Sequence, residues 1–276
     1  MKTDRRNRWR CPLVIVGLAV ALTGCHQIHQ ARAQKLANSA LEHFAAKEFD
    51  QGLEHSEIAL RLGSENPNLR RARAMVFLER GDPATALVEA DAGLAVIARI
   101  NADPHHPYGT IGDEYLSEFQ FIRGNSLQAM GRLQDARDSL AEAVRLDEKN
   151  TGAQNNLAWL LATSPVDHVR DGKKAIVHAT AACDLTRWKA PGTLDTLAAA
   201  YAESGDFDNA LKWQSEAISQ FSAIAAKQTE EAGEDPDGYR KRLDLYRAGK
   251  PVREDPQAQF EKKVESGASA AVSESK

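Results

Sequence analysis

Residues 194–210 read LDTLAAAYAESGDFDNA, and the spacing of their smallest side chains decides the fold. Ala198 and Ala210 stand twelve residues apart with Gly205 between them, and Ala217 follows seven residues later. Two antiparallel helices at an axis distance of roughly 8–10 Å have no room for a large side chain at every crossing point. Small residues at fixed offsets therefore predict a helix pair, and the glycine in Ser204-Gly205-Asp206 supplies the positive φ that a tight turn between helices needs.

The same three-point pattern recurs along the chain. Ala40, Ala74, Gly124, Ala158 and Ala198 open five units at intervals of 34, 50, 34 and 40 residues, so two intervals are 34 and two carry insertions. A second set, Gly52, Ala86, Ala136, Ala175 and Ala210, follows at 12, 12, 12, 17 and 12 residues. A third, Ala59, Gly93, Ala143, Ala182 and Ala217, follows at seven more. Larger apolar residues, Phe77, Leu127, Leu161 and Tyr201, fall three positions after an opening residue and are expected to fill the layers between crossings. A step of about 34 residues is the mark of a stacked-hairpin solenoid, in which each unit contacts only its neighbours.

On these residues the chain resembles the tetratricopeptide repeat family. The fifth unit carries the pattern most fully, with Leu194 where the family usually has tryptophan; residues 123–136, RGNSLQAMGRLQDA, are nearly as good. The first unit is the weakest, with His43 at the usual aromatic position and Gly52 at the usual alanine. The resemblance covers residues 33–222 and implies an all-α superhelix of about five helical hairpins with a concave groove. Residues 155–253 also look like a bacterial subgroup of these repeats, through LAWLLA (157–162), RDGKKA (170–175) and RLDLYRAGKP (242–251). No activity attaches to that subgroup. Residues 223–250 are expected to cap the solenoid through a short helix over 239–248 with Leu243 and Tyr246 on one face, and residues 251–276 to form a polar, disordered tail.

The amino terminus gives a second signal. Lys2, Arg5, Arg6, Arg8 and Arg10 precede an apolar run over residues 12–22 that ends in Leu22-Thr23-Gly24-Cys25. That run is shorter than the ~20 residues a membrane-spanning helix needs and matches a secretory signal. Its end resembles the lipobox of bacterial lipoproteins, which implies removal of residues 1–24, a diacylglycerol on the Cys25 thiol and a fatty acid such as palmitate on its new amino group. Residues 25–32 would then be a short tether. Two or more chains give stable attachment where one is marginal. By the same resemblance, His26 after the cysteine favours the outer membrane, with the body facing the periplasm.

Composition fits an exported body on such a tether. The leader holds five basic residues and one acidic, leaving 30 basic and 38 acidic residues and a net charge of −8. Phosphate neutralisation needs a basic surface, so nucleic acid is not an expected partner. Cys183 has no intrachain partner once Cys11 leaves and Cys25 is lipidated, and it reads as a buried thiol acting as a small hydrophobe.

The insertions come next. Residues 101–114 include Asp103-Pro104-His105-His106-Pro107-Tyr108-Gly109; adjacent histidines point apart and no further ligands stand at regular spacing, so a solvated loop is expected rather than a metal site at His105, His106 and Asp113. Residues 163–172 lengthen the turn inside the fourth hairpin and read as a rim loop. No phosphate loop, His-Glu-x-x-His pair or nucleophile elbow is present, so neither an enzyme nor a cofactor is expected. Function is then sought in the groove, where the family's inward positions place Arg71, Met75, Phe121, Asn125, Asn155 and Trp159, with Asp195 at the corresponding place in the fifth unit. Apolar anchors beside amides suit an extended peptide, and one cation, Arg71, is too few for a carboxylate clamp. The expectation is a lipid-anchored adaptor for other proteins at the cell envelope, with an accessory subunit docking a cell-wall remodelling enzyme as the alternative.

Overall fold

The computed structural model describes residues 13–226, 236–255 and 257, with side chains at 27–226, 237–255 and 257. It is all-α, and among the described residues there is no strand. Hairpin 1 pairs α1 (Leu13–Ala45) with α2 (Phe49–Arg61), and hairpin 2 comprises α3 (Pro67–Glu79) and α4 (Pro83–Ala102). Hairpin 3 pairs α5 (Asp113–Ala129) with α6 (Leu133–Leu146), hairpin 4 α7 (Thr151–Thr163) with α8 (Gly172–Leu185), and hairpin 5 α9 (Pro191–Glu203) with α10 (Phe207–Ala225). The last helix is α11 (Pro236–Arg247). The chain divides into two compact units, Met1–Arg73 and Ala74–Lys276.

All fifteen small residues of the repeat are buried, the twelve alanines with no accessible surface. In the first unit Ala37, Ala40, Ala59 and Leu69 form the core with Phe44 against them, and a Cβ on Gly52 would overlap the Phe44 ring. The buried Arg73 there donates to Ser56 Oγ at 2.7 Å. In the second unit a Cβ on Gly93 of α4 would overlap Phe119 of α5, whose ring is wholly buried. Leu127, Leu140, Leu157, Leu160, Leu194 and Leu197 fill one continuous core across hairpins 3 to 5. Leu127 and Leu161 are buried as the layer positions require, while Phe77 and Tyr201 are half-buried.

Four hairpins turn by one motif. At the last, Asp206 N donates to Tyr201 O at 3.0 Å across Gly205 (φ 82°), and Asp206 then caps α10 by accepting from Asn209 N. Hairpin 1 makes the same bond, Glu48 N to His43 O at 2.8 Å, but with Lys47 at φ 61° where the others have glycine. Hairpin 4 is the exception. Its insertion is a packed element rather than a plain rim loop: a 3-10 turn at Asp167–Val169 buries Val169, and Arg170 ties the segment down by donating to Ser164 O at 2.7 Å. A polar sequence hid this because the packing rests on two valines, Val166 and Val169, and one guanidinium. The connection to the next hairpin carries one residue more in the repeat register, Ala182 to Ala198 spanning 16 positions where Ala59–Ala74 and Ala143–Ala158 span 15, and Arg187 (φ 53°) and Trp188 (φ 59°) are both left-handed. The Trp188 ring meets Trp213 at 4.9 Å, its Nε1 donates to Asp184, and its carbonyl accepts from Gln220.

The first insertion is exposed, as a solvated loop should be, although α4 runs on to Ala102 before it begins. Asn101 clasps its far end, donating to Ile111 O at 2.9 Å and accepting from Ile111 N at 2.7 Å. Among the described residues no three His, Cys, Asp or Glu side chains are placed to hold a metal ion. Nor is any helix there long and apolar enough to cross a membrane. Of the expected leader, residues 1–12 lie outside the described residues, and 13–26, with Cys25, are described as helix backbone only. At the other end the expected tail begins later than its polarity suggests. Val252 is buried among Ala198, Ala202, Ala210 and Tyr246, and Glu254 N donates to Thr163 O at 3.0 Å. Residues 227–235 of the expected cap and 258–276 of the tail lie outside the described residues.

Two substitutions test this packing. Gly93→Ala should destabilise by about 1–3 kcal/mol, because the Phe119 ring has no free space to yield into. Lys47→Gly should stabilise by about 1 kcal/mol by relieving a left-handed non-glycine residue. Urea unfolding midpoints of the two variants should move in opposite directions.

Candidate functional site

The inward positions fall in both units, and each unit is described by itself. Arg71 lies in the first, on α3, half-buried. Met75, on the same helix but in the second unit, is 55% exposed. The remaining positions come together on the second unit's face made by α5, α7 and α9.

Phe121 of α5 lays its ring over the start of α7, where Gly152 leaves space: a Cβ there would stand 2.9 Å from Phe121 Cζ. One turn along α5, Asn125 Oδ1 accepts from Asn156 Nδ2 at 2.9 Å, and Asn156 in turn accepts from Asn155 at 3.4 Å. These amides form a row between the two helices. One acceptor of the row, Asn155 Oδ1, is shut off from solvent and accepts no hydrogen bond from the described residues. Side-chain amides are the groups that pair with the N–H and C=O of an extended backbone.

Trp159 stands in a different setting. Arg242 of α11 lies over its ring, 5.5 Å from the guanidinium carbon to the centroid, and over Tyr239 at 5.0 Å. Arg242 Nε donates to Asp195 Oδ1 at 2.8 Å, and Glu254 is 3.7 Å from its Nη1. Burial alone would lower the pKa of Arg242, but the charge and hydrogen bond of Asp195, with Glu254 behind it, raise it above the ordinary arginine value. The guanidinium is therefore ionised. Asp195 is 5% exposed and also accepts from Gln214 Nε2 at 2.7 Å. Eight residues along α9, Glu203 holds Arg170 at 3.0 Å on one oxygen and Arg253 at 2.6 Å on the other. The α7–α9 half of the face is thus covered by the chain's own residues, while the α5–α7 half carries the row of amides. Sequence reading placed Trp159 and Asp195 on the inward face but did not assign Arg242, Glu203 or Arg253 to it. The signal was there, in an acidic side chain at an inward position and an arginine-bearing motif with no assigned place.

Cys183 is buried on α8, and desolvation pushes its thiol up to about 11 in spite of a hydrogen bond with Thr193.

No family model matches this chain, and no curated protein matches it. Solved structures do. YrrB, described as a TPR protein with an unusual peptide-binding site, superposes with a TM-score of 0.54 at 18% identity, over 76% of this chain and 98% of its own. MamA superposes with a TM-score of 0.51 at 16% identity, over 75% and 97%. A likeness at these identities is one of fold, and it establishes the all-α tetratricopeptide architecture that the repeat spacing implies.

A thiol with its pKa near 11 is almost wholly protonated at neutral pH and is a poor nucleophile. Iodoacetamide at pH 8 should leave Cys183 unmodified in the folded protein and label it fully in guanidinium chloride, as read by peptide mass spectrometry.

Proposed function

We propose that this chain is a lipid-anchored interaction scaffold of a bacterial cell envelope, which binds an extended segment of another protein along the α5–α7–α9 face. The observation that carries the reading is the amide row of Asn125, Asn155 and Asn156. It lies beside the Phe121 ring and contains one acceptor, Asn155 Oδ1, that no group among the described residues satisfies. Amides that pair with a peptide backbone, next to a ring that takes an apolar side chain, are the two elements of extended-peptide recognition. The fold shared with YrrB, itself described as having a peptide-binding site, supports the same reading. A net charge of −8 outside the leader disfavours nucleic acid and leaves proteins as the expected partners. The anchor rests on the Leu22-Thr23-Gly24-Cys25 sequence. It would hold the body at a membrane, with the periplasmic side of the outer membrane favoured by His26.

Photo-crosslinking in the bacterial envelope from a position beside Phe121 should capture a discrete partner. Asn155→Ala with Phe121→Ala should reduce that capture at least tenfold while the double variant, although less stable, remains folded by circular dichroism; capture that persists in it would refute binding on this face. Independently, Cys25→Ser should move the protein from the membrane to the soluble fraction, and mass spectrometry should find the diacylglycerol on Cys25 of the wild type.

A further inference from the structure

The C-terminal segment makes a kind of contact that covering the end of a repeat stack does not require. An end cap needs only apolar cover, and Tyr246 and Val252 supply it against Ala198, Ala202 and Ala210. Residues 236–255 also deliver two arginines to two carboxylates on one helix. Arg242 meets Asp195 at 2.8 Å and Arg253 meets Glu203 at 2.6 Å, and these acids stand two turns apart on α9, about 12 Å along its axis. Arg242 also lies over both the Trp159 and Tyr239 rings. Trp159 and Asp195 belong to two successive hairpins of the repeat and share the face that carries the amide row.

We infer that the Trp159–Asp195 notch is an arginine-selecting subsite of the ligand face, and that residues 236–255 are its intramolecular occupant. The ligand it fits is an arginine-bearing peptide that displaces them. The inference rests on the peptide-binding reading above and extends it to the identity of one ligand side chain and to the control of access.

The chemistry of the notch favours arginine over other cations. A planar guanidinium stacks on an indole while its edge donates to a carboxylate, which the compact ammonium of lysine does not reproduce. Asp195 is buried, so whatever covers it has to bring a charge; removing one partner of a buried pair is strongly destabilising, while exchanging one arginine donor for another leaves the pair intact. The present occupant also fits imperfectly. Gln214 Oε1, beneath the segment, and Tyr246 Oη, on the segment itself, are buried with no hydrogen-bond partner among the described residues. Displacement of the segment lets both groups find partners, which lowers the cost of opening. The segment's advantage is its tether, which gives it an effective concentration in the millimolar range. A peptide offering arginine alone therefore loses to it. One that places arginine on Trp159 and continues across Phe121, Asn125 and Asn155 gains contacts the segment does not make.

The probe is a fluorescein-labelled synthetic peptide of residues 236–255, titrated by anisotropy into the full-length mature chain carrying Cys25→Ser. Self-occupied protein should bind it weakly. Adding Arg242→Ala and Arg253→Ala should tighten binding at least tenfold, and a peptide with Lys in place of Arg242 and Arg253 should lose that gain. Equal binding before and after the double substitution, or equal binding of the lysine peptide, would overturn the inference. Amide hydrogen exchange of the unsubstituted chain gives a readout that needs no variant to fold. The amides of α11 should exchange through a local opening at lower free energy than those of α9; exchange of both only by global unfolding would make the segment a permanent cap. The outcomes separate from those of the scaffold reading. Partner capture that depends on Phe121 and Asn155 but is unchanged by the arginine substitutions rejects the inference alone, while capture indifferent to Phe121 and Asn155 rejects the reading beneath it.

Discussion

The close approach of paired helices is the constraint on which everything else depends. Helices that touch through Ala136, Ala158 or Ala210 leave no slack between backbones, so every larger side chain must find its volume in the layer above or below the crossing. Gly93 shows the limit, for there even a methyl group is excluded because the Phe119 ring has taken its place. Face composition follows from the same constraint. With the crossings given to alanine and glycine, the inward positions between them are free to be Phe121, Asn125, Asn155, Trp159 or Asp195 without cost to the pairing of the helices.

This division explains what could be read from the sequence. The crossings are local and periodic, and so all fifteen small positions, the five hairpins and the glycine turns were legible from spacing alone. Packing across long sequence distances was not. Arg242 reaches Asp195 over 47 positions, and Glu254 reaches Thr163 over a longer stretch, in a segment whose polarity reads as tail. Polarity misleads there because the segment is held as much by ion pairs as by apolar burial. The three stretches that set residues 155–253 apart from a generic repeat, around Trp159, Arg170 and Arg242, prove to be neighbours in space. Arg170 and Arg253 share Glu203, and Arg242 covers Trp159. A motif with no visible chemistry of its own was the trace of a tertiary contact.

The candidate site was legible by position but not by state. Phe121 and Asn125 stand where the inward pattern puts them, yet nothing in one sequence tells that Asn125 is engaged by Asn156 while Asn155 keeps an acceptor unmade. Nor does it tell that Trp159 carries a guanidinium from its own chain. Whether an inward side chain is offered or already used depends on which distant segment reaches it.

The tandem left-handed pair at Arg187 and Trp188 has a mechanical consequence. A glycine turn sets its angle by backbone torsion alone and leaves the joint compliant. Here the additional residue is absorbed by two strained torsions whose outcome is locked from outside, by an indole wedged against Trp213 and a carbonyl pinned by Gln220. The joint between hairpins 4 and 5 is thereby a weld rather than a hinge. It leads directly into α9, which carries Asp195, so that wall of the notch is held at a fixed setting whichever arginine stands against it.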